Sequence, residues 1–302
     1  MKKIKGLIVA PFTGFTADEE LNLSVIRLQA DFYKNNGITG AFIAGTTGEG
    51  SSLTMDEKKA LYREWAKYKD DNFALIGFVG GTSVKECRDL ALYARECGLD
   101  AVAMTAPYYQ KASDVKALAR TLAQVASVVP DMPFFFYHIP SLTHVGVNVF
   151  SLLKEMDAII PNLAGIKYTF EDMMDYQLCL DFKDRKYTVM WGRDEMLLEA
   201  LAIGADTFVG STYGYNAPVY NKIREAFAAG DIRKAAALQH KACEYIQFLG
   251  KYGNGCGKAF MKAVGVDLGP CRFPLSTLTD DQYVSLLEDL AKTDFNEYKC
   301  VL

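Results

Sequence analysis

The residues best suited to chemistry sit inside or at the ends of short hydrophobic runs. Lys167 stands in Leu163-Ala-Gly-Ile-Lys-Tyr168, where burying a charge is costly. Desolvation favours a neutral amine, and a neutral amine attacks carbonyl carbon. The competing reading is a lysine paired with a carboxylate. Tyr137 closes the aromatic run Phe134-Phe-Phe-Tyr137. A phenol beside a cationic iminium can shuttle protons, because the charge pair stabilises the phenolate; taken alone, it is equally a core aromatic. Gly45-Thr46-Thr47-Gly48-Glu49 offers two hydroxyls and several amides in a glycine-flanked turn, a nest suited to a carboxylate or phosphate. An ordinary connecting loop can have the same composition. It is not a Walker loop, and neither is Gly253-Asn-Gly-Cys-Gly-Lys258, which lacks the first glycine at the right offset and a Ser/Thr after the lysine. Gly192-Arg-Asp194-Glu195 and Gly210-Ser211-Thr212 end two later runs.

Eight such runs carry these groups: 7–10, 41–44, 74–79, 101–105, 134–137, 165–168, 187–191 and 207–209. They are too short for helices and too continuously apolar for one-sided strands, which describes strands covered on both faces. Amphipathic stretches lie between them. Thr16-x-x-Glu19, Thr54-x-x-Glu57 and Ser83-x-x-Glu86 read as capping boxes. Leu23, Ile26, Ala30 and Tyr33 mark an apolar face at helical spacing, and Gly37, Gly98 and Gly204 stand where such helices should stop. Successive runs recur roughly every 19–35 residues, the size of a strand–helix unit, and eight of them predict an α/β fold, a (β/α)8 TIM barrel with a C-terminal helical extension. An open doubly wound sheet is the rival. The barrel core is expected over 1–216. The last barrel helix and a helical module packed on the barrel are expected over 217–302, with helices at 232–249, 257–264 and after Thr279-x-x-Gln282. In a barrel of this kind the site lies at the C-terminal ends of the strands, where the groups above collect.

Composition narrows the function. The 302 residues are 50% hydrophobic and 23% charged, with a net charge of -4. This is a globular chain without a basic stripe, which argues against nucleic acid as a partner and leaves small molecules open. No apolar run reaches the ~18 residues that span a bilayer. Met1-Lys-Lys-Ile-Lys5 followed by Gly-Leu-Ile-Val-Ala10 reads as a first strand rather than a signal peptide, because Pro11 interrupts it and no small-residue cleavage site follows. Seven scattered cysteines without a C-x-x-C pair suggest reduced thiols in the cytoplasm. Three histidines make a His-rich metal site improbable.

In this order, the G-T-T-G-E turn, Tyr137-x-Ile-Pro140, Gly-Ile-Lys167-x-Thr169 and Gly210-Ser-Thr212 resemble the pyruvate-dependent class I aldolase family of dihydrodipicolinate synthase and N-acetylneuraminate lyase, over essentially the whole chain. The resemblance implies a barrel with a helical extension, a homotetramer, and no metal or organic cofactor. It implies that Lys167 forms a Schiff base with pyruvate, that Tyr137 transfers protons, and that Thr46 and Thr47 hold the pyruvate carboxylate. Tyr109, in Ala106-Pro-Tyr-Tyr109, matches a tyrosine that reaches a site across a subunit contact.

Within the family, the synthase needs an arginine after Tyr137-x-Ile-Pro-Ser to grip a second carboxylate; Leu142 stands there and cannot pair with one. The lyase branch must instead hold a polyhydroxylated tail. Asp194 and Glu195 supply acceptors and Ser211 a hydroxyl, a reasonable sugar clamp; acidic residues opening a helix are the plainer alternative. The match of Gly-x-Asp-Glu to the sialic acid lyases favours the clamp. By the same resemblance Thr169 orients the substrate near C4, Gly192 and Gly210 offer backbone groups, and Thr47 and Tyr109 assist proton relay. The expected reaction is reversible cleavage of sialic acid to N-acetylmannosamine and pyruvate. Another 2-keto-3-deoxy sugar acid, the synthase reaction, or a non-catalytic sugar-acid sensor are the alternatives. His144 stands where the family more often has glycine.

Overall fold

The computed structural model describes residues 4–302, so Met1–Lys3 of the basic start lie outside the described residues. Each of the eight apolar runs forms a strand: β1 (Gly6–Val9), β2 (Gly40–Ile43), β3 (Ala74–Phe78), β4 (Ala101–Thr105), β5 (Phe134–His138), β6 (Leu163–Tyr168), β7 (Thr188–Trp191) and β8 (Thr207–Gly210). All pair in parallel and in sequence order, and β8 returns to β1, so the sheet closes into a barrel and the open-sheet alternative is excluded.

Alternation along each strand explains the continuous hydrophobicity. Ile8, Phe42, Ile76, Ala103, Phe135, Met190 and Val209 fill the barrel interior as one cluster. Their neighbours Leu7, Val9, Ala41, Ile43, Leu75, Val102 and Phe136 face the surrounding helices and join a second, larger cluster. Successive side chains point to opposite faces of a strand, so a strand buried on both sides shows no polar alternation.

One departure from that alternation decides where Lys167 points. Phe134 pairs with Leu163, but Phe135 pairs with Gly165, so Ala164 is an extra residue in β6. Such a bulge reverses the facing of every residue after it. Leu163, Ile166 and Tyr168 pack outward, and Lys167 turns inward opposite Tyr137. Gly165 permits this: its φ is +154°, and a Cβ there would overlap the carbonyl of Thr188 on β7.

Most of the helix signals are realised. Thr54 and Glu57 make a reciprocal capping box for Met55–Ala66, as do Thr279 and Gln282 for Asp280–Ala291. Each such cap stabilises by about 1 kcal/mol. Ser83 caps Val84–Glu96 by accepting from the Glu86 amide. Gly37, Gly98 and Gly204 lie just beyond helices with φ of +75°, +76° and +89°. Thr16-x-x-Glu19 is a correction: it caps no helix. Thr16 Oγ1 accepts from the Glu20 amide, Glu19 is left-handed at φ +61°, and the chain folds back so that Phe15 bridges Leu21. The first helix, Ile26–Asn35, begins only after a single 3₁₀ turn at Leu23–Val25 capped by Asn22.

After β8, helix Tyr213–Ala228 packs on β1 and on the long helix Ile232–Tyr252. Cys256–Ala263, Asp280–Ala291 and Phe295–Tyr298 follow. The 264–279 connection packs against the loop after β1, where the Leu268 carbonyl accepts from the Phe15 amide. Among the described residues no helix is long and apolar enough to cross a membrane. All seven cysteines are free.

Candidate active site

The inward turn of β6 places Lys167 among rings. It is 4% exposed, and its Nζ lies 4.1 Å from the centroids of both Phe42 and Tyr137. Phe42 and Phe78 stand edge-on to Tyr137 at 5.4 and 5.9 Å. Among the described residues no carboxylate makes an ion pair with Lys167, and Asp194 feels its charge without one. The aromatic faces wall the amine off from water. Tyr137 is itself 3% exposed, and its hydroxyl lies 3.5 Å from Thr46 Oγ1.

Thr46 and Thr47 belong to a tight turn after β2. The Glu49 amide donates to the Thr46 carbonyl and the Gly50 amide to the Gly45 carbonyl, both at 3.0 Å. Thr13 Oγ1 donates to the Gly48 carbonyl from outside at 2.6 Å. Ala44 and Glu49 both hold left-handed backbone, at φ +56° and +55°; each costs of order 1–3 kcal/mol for a residue with a Cβ. A Cβ on Gly50 would overlap the Ala44 carbonyl, which explains that glycine. The outcome is an exposed Thr46 and a half-buried Thr47 at the barrel mouth beside Tyr137.

The ends of β6, β7 and β8 form the opposite wall. Thr169 donates its amide to the His138 carbonyl, and its hydroxyl is buried without a partner. It sits over Gly192, where a Cβ would overlap it. Gly210 likewise leaves room for the Asp194 carboxylate. Asp194 is 6% exposed; its Oδ2 accepts from the Thr212 hydroxyl at 2.6 Å and the Thr212 amide at 3.0 Å, while its Oδ1 is buried without a partner. Burial pushes the Asp194 pKa up to about 6, against the pull of the Thr212 hydrogen bonds. The Thr169 hydroxyl and Asp194 Oδ1 thus lie over two glycines, each buried and without a hydrogen-bond partner, the kind of polar atom that calls for one. Glu195 is half-buried, with Oε1 3.3 Å from Arg193 Nε. Ser211 is half-exposed and its carbonyl accepts from Gly214.

Tyr109 stands apart. It is 80% exposed on the loop after β4, with Tyr108 beside it at 41%, so within one chain it does not join the cluster. Sequence reasoning missed Phe42, which walls Lys167, and Thr212, which holds Asp194; Thr212 was visible in Gly210-Ser-Thr212 but had no assigned role. It also missed Lys258, 4% exposed and 2.8 Å from Glu49. A lysine inside Cys-Gly-Lys-Ala-Phe-Met was the available signal. His144 takes φ +50°, which accounts for a position where glycine is commoner.

Among the described residues no three His, Cys, Asp or Glu side chains gather as a metal site. A wide recess at the opposite, N-terminal mouth, lined by Lys5, Asp70, Asn72, Phe135 and Thr188, contains none of these groups. The C-terminal mouth therefore gathers a ring-walled amine, a phenol, a hydroxyl turn and two unpartnered oxygens, a set able to hold a keto acid and form a carbon–nitrogen bond to it.

Residues 3–293 match the family described as the dihydrodipicolinate synthetase family. N-acetylneuraminate lyase A of Xenopus laevis is 36% identical over 299 residues, covering 97% of this chain and 98% of the relative. The N-acetylneuraminate lyase of Homo sapiens is 37% identical over 300 residues, covering 97% and 94%. The solved structure of Proteus mirabilis N-acetylneuraminate lyase superposes with a TM-score of 0.94 at 34% identity, covering 97% of this chain and all of that one.

Proposed function

The chain belongs to the dihydrodipicolinate synthetase family, and from that premise we propose that it is a class I aldolase cleaving N-acetylneuraminate (sialic acid) reversibly to N-acetylmannosamine and pyruvate. The observation that carries the reading is the Lys167 amine, buried against Phe42 and Tyr137 at the mouth of a closed barrel. Full-length similarity to N-acetylneuraminate lyases supports the choice of substrate.

The open-chain keto form binds with its C1 carboxylate on Thr46 and Thr47. The Lys167 amine attacks C2. Tyr137 gives its proton to the departing hydroxyl, and water leaves with formation of a protonated imine. The imine takes up the electron pair of the C3–C4 bond, so no free carbanion forms. The C4 hydroxyl passes its proton to the Tyr137 phenolate, with Thr47 and a neighbouring copy's Tyr109 assisting, and C4 becomes the aldehyde carbon of N-acetylmannosamine. Tyr137 returns that proton to C3 of the enamine, and water hydrolyses the imine to pyruvate and free Lys167, giving its released proton back to the Tyr137 phenolate. Thr169 orients the substrate near C4. Asp194, Glu195 and Ser211 hold the glycerol end, with Gly192 and Gly210 leaving space and backbone groups beside it.

A homotetramer would bring the exposed Tyr109 of one copy to the mouth of another, and free cysteines fit a cytoplasmic location. An assay of products tests the substrate: sialic acid should yield pyruvate and N-acetylmannosamine in equal amounts. Turnover of a different 2-keto-3-deoxy sugar acid, or of aspartate semialdehyde, with sialic acid untouched would overturn it.

A further inference from the structure

The carboxylate-binding turn is anchored from outside the barrel. Glu49, at its end, is buried with its side chain 3% exposed, and its Oε1 lies 2.8 Å from Nζ of an equally buried Lys258 on helix Cys256–Ala263. Lys258 also donates to the Pro270 carbonyl at 2.6 Å. The second Glu49 oxygen accepts from the Arg272 amide at 2.8 Å. The Arg272 guanidinium forks onto Glu57 at 2.7 and 2.9 Å and reaches the Ser52 carbonyl at 3.0 Å. Lys258 and Arg272 both lie over the Phe15 ring, at 4.4 and 4.3 Å.

A buried ion pair is a poor way to gain stability, because desolvating both charges offsets most of their attraction. What it supplies is geometry. Glu49 must hold left-handed backbone, and its amide closes the turn onto Thr46. A carboxylate held on one oxygen by the Arg272 amide and facing the Lys258 ammonium with the other restrains that backbone. We propose that Lys258 and Glu49 are positioning residues for pyruvate: the buried pair ties the helical module to the Thr46–Thr47 turn and sets where the substrate carboxylate is gripped. The inference rests on the assignment of that turn as the carboxylate clamp.

The test uses the full chain, with sodium borohydride trapping as the readout. In Lys258→Met, the pyruvate concentration giving half-maximal trapping should rise tenfold or more. The maximal trapping rate should stay within about twofold, and trapping of acetone, a ketone without a carboxylate, should be unchanged. Equal losses for pyruvate and acetone, or no loss for either, would overturn the proposal. Lys258→Met leaves Glu49 buried and unpaired, so Glu49→Gln/Lys258→Met is made alongside it. The neutral pair should recover the melting temperature while the pyruvate requirement stays raised; recovery of both would reduce the pair to simple stability. In the unmodified protein, pyruvate should slow amide exchange in 256–272 together with 44–50, and unchanged exchange in 256–272 would count equally against coupling. Failure of the unmodified protein to trap pyruvate would instead strike the Schiff-base reading, and slowed exchange in 256–272 together with 44–50 would still support the anchor.

Discussion

Thr212→Val separates recognition of the sugar tail from the chemistry at Lys167. In the intact protein, burial raises Asp194 to about 6, and the Thr212 hydroxyl and amide oppose the rise. The surrounding groups are Glu195 and Lys167, whose charges act on it in opposite senses, and the phenols of Tyr213 and Tyr220, both kept protonated by burial. Valine keeps the volume and the amide but removes a 2.6 Å hydrogen bond to the charged carboxylate. Such a bond contributes about 1.5–3 kcal/mol, or roughly one to two pKa units, which moves the midpoint from about 6 to roughly 7.5. If only the ionised carboxylate accepts the tail hydroxyls, the ionised share at pH 6.5 falls from about three quarters to about a tenth. KM for sialic acid should then stand roughly eightfold above the unmodified protein at pH 6.5 and return to within about twofold by pH 8.5. Half-saturation of pyruvate trapping should not move at either pH. Initial rates of pyruvate release across pH 5.5–9 read this directly. A KM ratio that stays constant with pH would refute the role given to the Asp194 charge.

Two further outcomes follow from the geometry. Gly165→Ala puts a Cβ onto the Thr188 carbonyl at a left-handed φ; it should destabilise by about 3 kcal/mol and slow borohydride trapping, and unchanged trapping in the folded variant would refute the idea that the bulge aims Lys167. His138, 2% exposed, has its pKa lowered to about 4 by burial, with Asp175 opposing. The unfolded imidazole binds a proton below ~6.5 and the folded one only near 4, so the folded state binds fewer protons and loses up to ~3 kcal/mol as pH falls through that window. His138→Gln should remove that part of the acid sensitivity in urea melts at pH 4 to 7; an unchanged slope would refute it.

The barrel was legible because its cause is local. Strands buried on both faces are apolar at nearly every position, and all eight runs show it, with threonine the commonest exception. Lys167 was legible for the same reason, as the one charge in such a run. Its facing was not: strict alternation from Leu163 would send Lys167 outward, and only the pairing of Phe135 with Gly165 reveals the extra residue. Thr16-x-x-Glu19 has the composition of a cap but not its backbone, since a left-handed Glu19 turns the chain before a helix can start. Asp194 could be read from its motif. The direction of its free oxygen depends on Thr212 and on the missing Cβ of Gly210, which spacing alone does not convey. The pair Glu49 and Lys258 lies beyond any local pattern, because the partners stand 209 positions apart (258 − 49) and meet only in the folded chain.

One nitrogen carries the chemistry. Incubation with pyruvate and borohydride, followed by digestion and mass spectrometry, should find the reduced adduct on Lys167 and nowhere else, with loss of lyase activity in step with labelling. Labelling of another lysine, or full inactivation with Lys167 unmodified, would contradict the account.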